Sequence, residues 1–121
     1  MFIENLKNQD LEKLNKEVVK YFVYFWEDSH MTTYPDLQIL NNFHPESGWI
    51  TDVWQLINFI ESISGGWKAE FDSTTYDFTM SNKNNKKTFV GYGLSLGQAV
   101  CNSFVEFSND YIIKLREMEH D

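Results

Sequence analysis

The chain has one cysteine, two prolines and ten basic residues among its 121, and no apolar run long enough to cross a bilayer. Each shortage excludes something. Cys101 alone cannot form an intramolecular disulfide, so cysteine usage does not point to a secreted, stapled scaffold, and a reducing cytoplasm is the natural compartment. Eighteen acidic residues against ten basic ones give a formal net charge of −8. That balance argues against a duplex-DNA binder with a broad basic face, because phosphate neutralisation needs clustered Lys and Arg. The most apolar run, Val18 to Trp26, contains Lys20 and is far short of the roughly 20 residues of a membrane helix. The opening MFIENLKNQDLEK carries acids where a secretory signal has a basic region and then an apolar core.

What the chain does have is bulk. Hydrophobic residues make up 42% and aromatics 17%, enough large side chains for one compact domain over residues 1–121. From about Glu4 to Asp28, Leu11, Leu14, Val18, Tyr21 or Phe22, and Phe25 step at three and four, which predicts a helix with Glu12/Lys16 on its exposed side. VVKYFVYFW also suits a strand, so Val18–Trp26 is open to either assignment. Ser29 to Pro35 reads as a connection, Pro35-Asp36 opens a short helical turn through Leu37, Ile39 and Leu40, and Asn41 to Gly48 is loop. Thr51 caps a further helix in which Val53, Leu56 or Ile57, Ile60 and Ile63 repeat, and Gly65-Gly66 stops it.

The second half is more strongly patterned. Trp67, Ala69 and Phe71 share one strand parity and Tyr76, Phe78 and Met80 another, with a third run from Thr88 to Tyr92, which predicts a half-buried antiparallel meander. At Gly91-Tyr92-Gly93 flexible backbone turns the chain from strand into helix. Ser95 and Gln98 form a capping box, and Leu94 and Ala99 stand where a hydrophobic staple closes. Leu96, Val100, Phe104, Phe107, Tyr111, Leu115 and Met118 then mark one apolar stripe of a long helix. The fold class is α+β, in the order α-α-β-β-β-α, with the N-terminal helices and the long C-terminal helix packed on a three-stranded meander. So small a sheet has edges to protect, and dimerisation through an edge strand or through surplus aromatic surface is one route, so a homo-oligomer is expected.

Candidate chemistry is sparse. Glu27-x-x-His30 and Glu117-x-x-His120 have the spacing of di-iron ligands, but at acidic helix ends and without two further inward glutamates; His44 stands alone in a loop, and no metal site is expected. Cys101 falls in a packed helix, and no Gly-x-Ser-x-Gly elbow exists. No acid/base pair stands out among Glu70, Asp72 and Asp77, so an enzyme is not expected, and no cofactor is implied. Gly91-Tyr92-Gly93 with Gly97 departs from the dinucleotide fingerprint, yet N–H groups at a helix start can hold a phosphate. Lys83, Lys86 and Lys87, interleaved with asparagines, form the one compact cationic patch, either a solvated hairpin or a loop over an anionic ligand. Trp26, Trp49, Trp54, Trp67, Tyr76 and Tyr92 exceed an obvious core requirement and fit a protein partner or a nucleotide pocket.

Trp67-Lys68-Ala69, followed after a variable hairpin by Val90-Gly91-Tyr92-Gly93, Leu96 and Gln98-Ala99-Val100-Cys101-Asn102, resembles the phage ABA-sandwich domain over roughly residues 66–107. In that family a W-x-A or W-x-V strand precedes a glycine turn and a helix opening with E/Q-A-I/M-C/R. The resemblance extends to Thoeris anti-defence sponges, which bind a cyclic ADP-ribose signal without degrading it and assemble as homo-oligomers. It implies sequestration of a nucleotide second messenger in the cytoplasm of an infected bacterium. Trp67, Phe71, Tyr76 and Tyr92 would then meet the base, and Lys83, Lys86, Lys87, the Gly91-Gly93-Ser95 helix start and Arg116 the phosphates. The competing reading is an acidic phage inhibitor that covers a basic surface of a host defence enzyme.

Overall fold

The computed structural model describes residues 2–28, 53–83 and 86–119. The turn at Pro35-Asp36, the loop from Asn41 to Gly48, the Thr51 cap, Trp49 and the three histidines lie outside them, as do the side chains of Trp26 and Trp54. The described elements run α1 (Phe2–Asn8), α2 (Leu11–Asp28), α3 (Val53–Ile63), β1 (Gly66–Phe71), β2 (Tyr76–Ser81), β3 (Thr88–Gly93) and α4 (Leu96–Glu119). This is the α+β architecture expected, with one more N-terminal helix.

The extra helix arises because the single helix expected from Glu4 to Asp28 is broken at Gln9-Asp10. Asp10 accepts the backbone N–H of Lys13 on its side chain at 3.1 Å and that of Leu14 on its carbonyl at 3.1 Å, so it caps a new helix. Leu11, expected on the apolar stripe, lies in the first turn after that break and is exposed. Beyond it α2 is helical through Val18–Trp26. Leu14, Val18, Phe22 and Phe25 are all buried at helical spacing, so the packing of one face outweighs the strand preference of the β-branched residues.

The sheet order is β1-β2-β3, antiparallel throughout. Trp67 faces Met80 and Phe71 faces Tyr76 across the first pair; Phe78 faces Gly91 and Tyr76 faces Gly93 across the second. These residues share one face, and α4 lies across its β2 and β3 portion, with α2 and α3 packed on α4 in turn. Val100, Phe104 and Phe107 of α4 join Leu14, Val18, Phe22, Leu56, Ile57, Ile60, Phe78 and Met80 in one core. β1 escapes that cover: from Lys68 to Phe71 it is exposed, and Phe71 is 65% exposed, so only part of the meander is half-buried. The parity expected for Phe71 is correct, but nothing described lies over it.

The glycines of β3 work otherwise than expected. Neither Gly91 nor Gly93 has a positive φ, and both belong to the strand itself. A Cβ on Gly91 would collide with the Ala99 carbonyl oxygen and the Ser103 backbone nitrogen; one on Gly93 would lie 2.7 Å from the Ser95 carbonyl oxygen. They are spacers that let a helix backbone settle directly on a strand.

Candidate functional site

The residues singled out from sequence do not converge on one cleft. Trp67 is half-buried, its ring stacked on Phe78 at 5.5 Å and its Nε1–H donating to Glu61 Oε1 at 3.0 Å. Phe71 and Tyr76 touch at 4.7 Å between centroids, at the far end of the β1–β2 pair. Lys83 and Lys86 are exposed on the β2–β3 hairpin, where Lys86 takes a left-handed φ of 58° and donates its N–H to Asn82 O at 3.0 Å. Lys87 instead reaches α4, with its Nζ 2.9 Å from Asp110 Oδ1 and over the ring of Phe89.

Gly91 and Gly93 are buried under α4, which leaves no room for a phosphate on that face of the strand. Tyr92 points to the opposite face and is 40% exposed, edge-on to Phe2 at 5.0 Å. Ser95 caps α4 as expected: its Oγ accepts the Gln98 N–H at 3.2 Å. The return bond of the box is displaced by one residue, because Gln98 Oε1 accepts the N–H of Leu94 at 2.9 Å, and Leu94 stays exposed. Gln98 Nε2 also donates to Leu6 O and Gln9 Oε1, both at 2.9 Å, so α1 is tied onto the start of α4. Arg116 is some twenty residues further along α4, about 30 Å away at 1.5 Å per residue.

Among the clefts lined by described residues, two kinds are chemically distinct. Two clefts, of about 470 and 360 Å³, flank the Phe2–Tyr92 pair. Their linings include four carboxylates, Glu17 and Glu106 in one and Asp72 and Asp77 in the other. The other kind is a cleft of about 370 Å³ between α2 and α4, lined by Lys20, Tyr21, Tyr24, Asn109 and Arg116 together with Ile112 and Ile113. Lys20 Nζ stands 5.4 Å from the centre of the Tyr21 ring, and the Tyr21 hydroxyl approaches Asn109 Oδ1 at 3.5 Å. The hydroxyl's pKa is raised, by burial first and by the charge of Glu17 second, while Arg116 opposes both.

Of this set only Arg116 was expected from sequence. The signal for the rest was periodic: Asn109, Ile112, Ile113 and Arg116 repeat at three and four on α4, and Lys20, Tyr21 and Tyr24 line one edge of α2. What periodicity omits is that the two edges meet. Cys101 is 1% exposed, and burial pushes its thiol pKa far up, so it is a packed and protonated side chain. No family model matches the chain, and neither a curated protein nor a solved structure matches it significantly.

Proposed function

We propose that the protein binds and sequesters a small anionic nucleotide, a cyclic second messenger of the cyclic ADP-ribose type, without cleaving it, as a phage anti-defence protein in the host cytoplasm. The observation that carries this reading is the α2–α4 cleft, whose lining combines Lys20 and Arg116 with two tyrosines and an asparagine and, among the described residues, includes no carboxylate. A guanidinium forks onto phosphate oxygens, tyrosine faces stack on a base, and an asparagine amide can read a base edge. The volume lies within the range of small-ligand pockets.

The test is to incubate the purified protein with cyclic ADP-ribose isomers and cyclic oligonucleotides, heat it, and analyse what is released. Intact ligand is the expected product. No binding by calorimetry across that panel overturns the proposal, and a linearised product replaces it with an enzyme.

A specific observation favours a second reading. The exposed Phe2–Tyr92 pair is ringed by Glu17, Glu106, Asp72 and Asp77, an aromatic centre with an acidic rim of the kind that seats on a basic protein surface. Under it, Asp77→Lys with Glu106→Lys abolishes inhibition of a host defence enzyme and leaves nucleotide binding intact.

A further inference from the structure

β1 is an edge strand of the described sheet. In an antiparallel ladder, bonded and non-bonded residue pairs alternate, and the N–H of Asp72 donates to Thr75 O at 2.7 Å in continuation of the β1–β2 register. That bond fixes the phase: Lys68 and Glu70 direct their N–H and C=O groups to β2, and Trp67, Ala69 and Phe71 direct theirs to the free edge. Among the described residues no strand follows β1 on that side. From Lys68 onward the strand is exposed, without proline or bulge and with a large apolar ring at its end, a surface that native proteins seldom leave open.

The sequence on that edge is self-complementary. Read about Ala69, it runs aromatic, lysine, alanine, glutamate, aromatic. We infer that β1 pairs with β1 of a second copy of this chain, antiparallel about a two-fold axis at Ala69, to make one continuous six-stranded sheet. In that register Ala69 meets its own symmetry mate, Trp67 meets the second copy's Phe71, and Lys68 meets the second copy's Glu70. Only this parity places every outward backbone group against another outward group, so the bonds of the ladder form with no slip.

The side chains agree on both faces. On one, Trp67 already stacks on Phe78 and Phe71 already touches Tyr76, so pairing lines up Phe78, Trp67, Phe71 and Tyr76 as a continuous row of rings across each half of the seam. On the other, Lys68 and Glu70 are 2.5 Å apart within one strand, and pairing converts two such pairs into a square in which every charge has an opposite neighbour along and across the strands. The seam is neutral, although each chain carries −8, so the net charge does not oppose it locally. An isologous contact of this kind closes on itself and stops at two chains.

Sedimentation equilibrium of the full chain, followed by a charge-exchange experiment, tests the pairing. Wild type is expected to sediment with twice the chain mass of 14.3 kDa. Lys68→Glu alone and Glu70→Lys alone each place like charges across the seam and raise the dimer dissociation constant about tenfold or more. Mixing the two variants restores opposite pairs and produces a heterodimer, and so does the double exchange within one chain. Ala69→Pro removes an outward N–H from an edge strand, where proline is tolerated, and yields a folded monomer by circular dichroism. A wild type that remains monomeric at tens of micromolar, or a dimer indifferent to Ala69→Pro and to charge exchange, overturns the inference. Nucleotide binding is scored separately and does not enter this result.

Discussion

Gly91 and Ser103 meet backbone to backbone: a Cβ on the glycine would lie 2.8 Å from the Ser103 Cα and nearer still to its nitrogen. Ser103 completes the contact by donating its hydroxyl to Phe89 O at 2.7 Å, two residues along the same strand. Strand β3 and helix α4 are thus joined at this point without an intervening layer of side chains.

Gly91→Ala should therefore be among the most damaging single substitutions available. The obstruction is backbone on both the Ala99 and Ser103 sides, which cannot rotate away, so the helix must lift from the strand at a cost of about 3 kcal/mol or more. Gly66→Ala is the control, since nothing lies within 4 Å of a Cβ there. Denaturant midpoints separate the two; similar, small losses at both positions would show that the helix is not seated on the glycine.

Gln98→Ala should loosen α1 more than it unfolds the domain. One amide caps Leu94 and also holds Leu6 O and Gln9, and Gln9 in turn is bonded to Asn102 at 2.6 Å. Removing it strands several of these groups at about 1–2 kcal/mol in all, and α1, with no buried residue of its own, has little else to hold it. Amide hydrogen exchange should accelerate across Phe2–Asn8 while the β2–β3 pair keeps its protection. Uniform acceleration would place the loss in the global fold instead.

What could be read from the chain depended on how far each determinant acts. The cap at Ser95 and Gln98 is a matter of three residues, and the stripe from Val100 to Phe107 of one helical face, so both are visible in a single sequence. Parity put Phe71 on the correct face but says nothing of what covers that face, because the extent of α4 over the sheet is a tertiary property. The break at Gln9-Asp10 was hidden for a related reason: apolar spacing continues past it, and only the Asp10 cap betrays two helices. Gly91 and Gly93 stood out correctly and for the wrong cause, since a glycine marks free backbone and close approach alike. The α2–α4 cleft was least legible of all, being the meeting of two polar edges some ninety residues apart.

Stability should fall at alkaline pH through Cys101. Its thiol pKa is raised in the folded state by burial, so the native protein holds the proton more tightly than the unfolded chain. The contribution is complete below the unfolded value of about 8.5 and is lost as the pH rises above it, at up to about 1.4 kcal/mol per pH unit. Between pH 8 and pH 10 the wild type should lose about 2 kcal/mol more than Cys101→Ala, measured by urea denaturation. Equal slopes in the two proteins would mean that the thiol is not the group responsible.

Arg116 decides whether the α2–α4 cleft is the ligand site. Its side chain is exposed, so Arg116→Ala should leave the melting temperature within about a degree or two, as surface substitutions do. Nucleotide affinity should fall about 10- to 100-fold, the worth of a charge-assisted pair to phosphate. Arg116→Lys should recover only part of that loss, because an ammonium cannot make the forked contact. Lys20→Ala should weaken binding by a similar order, whereas Lys83→Ala and Lys86→Ala, on the hairpin outside this cleft, should change nothing. Isothermal titration with one nucleotide across the four alanine variants separates the alternatives: losses confined to Lys83 and Lys86 would move the site to the hairpin, away from Tyr21 and Tyr24.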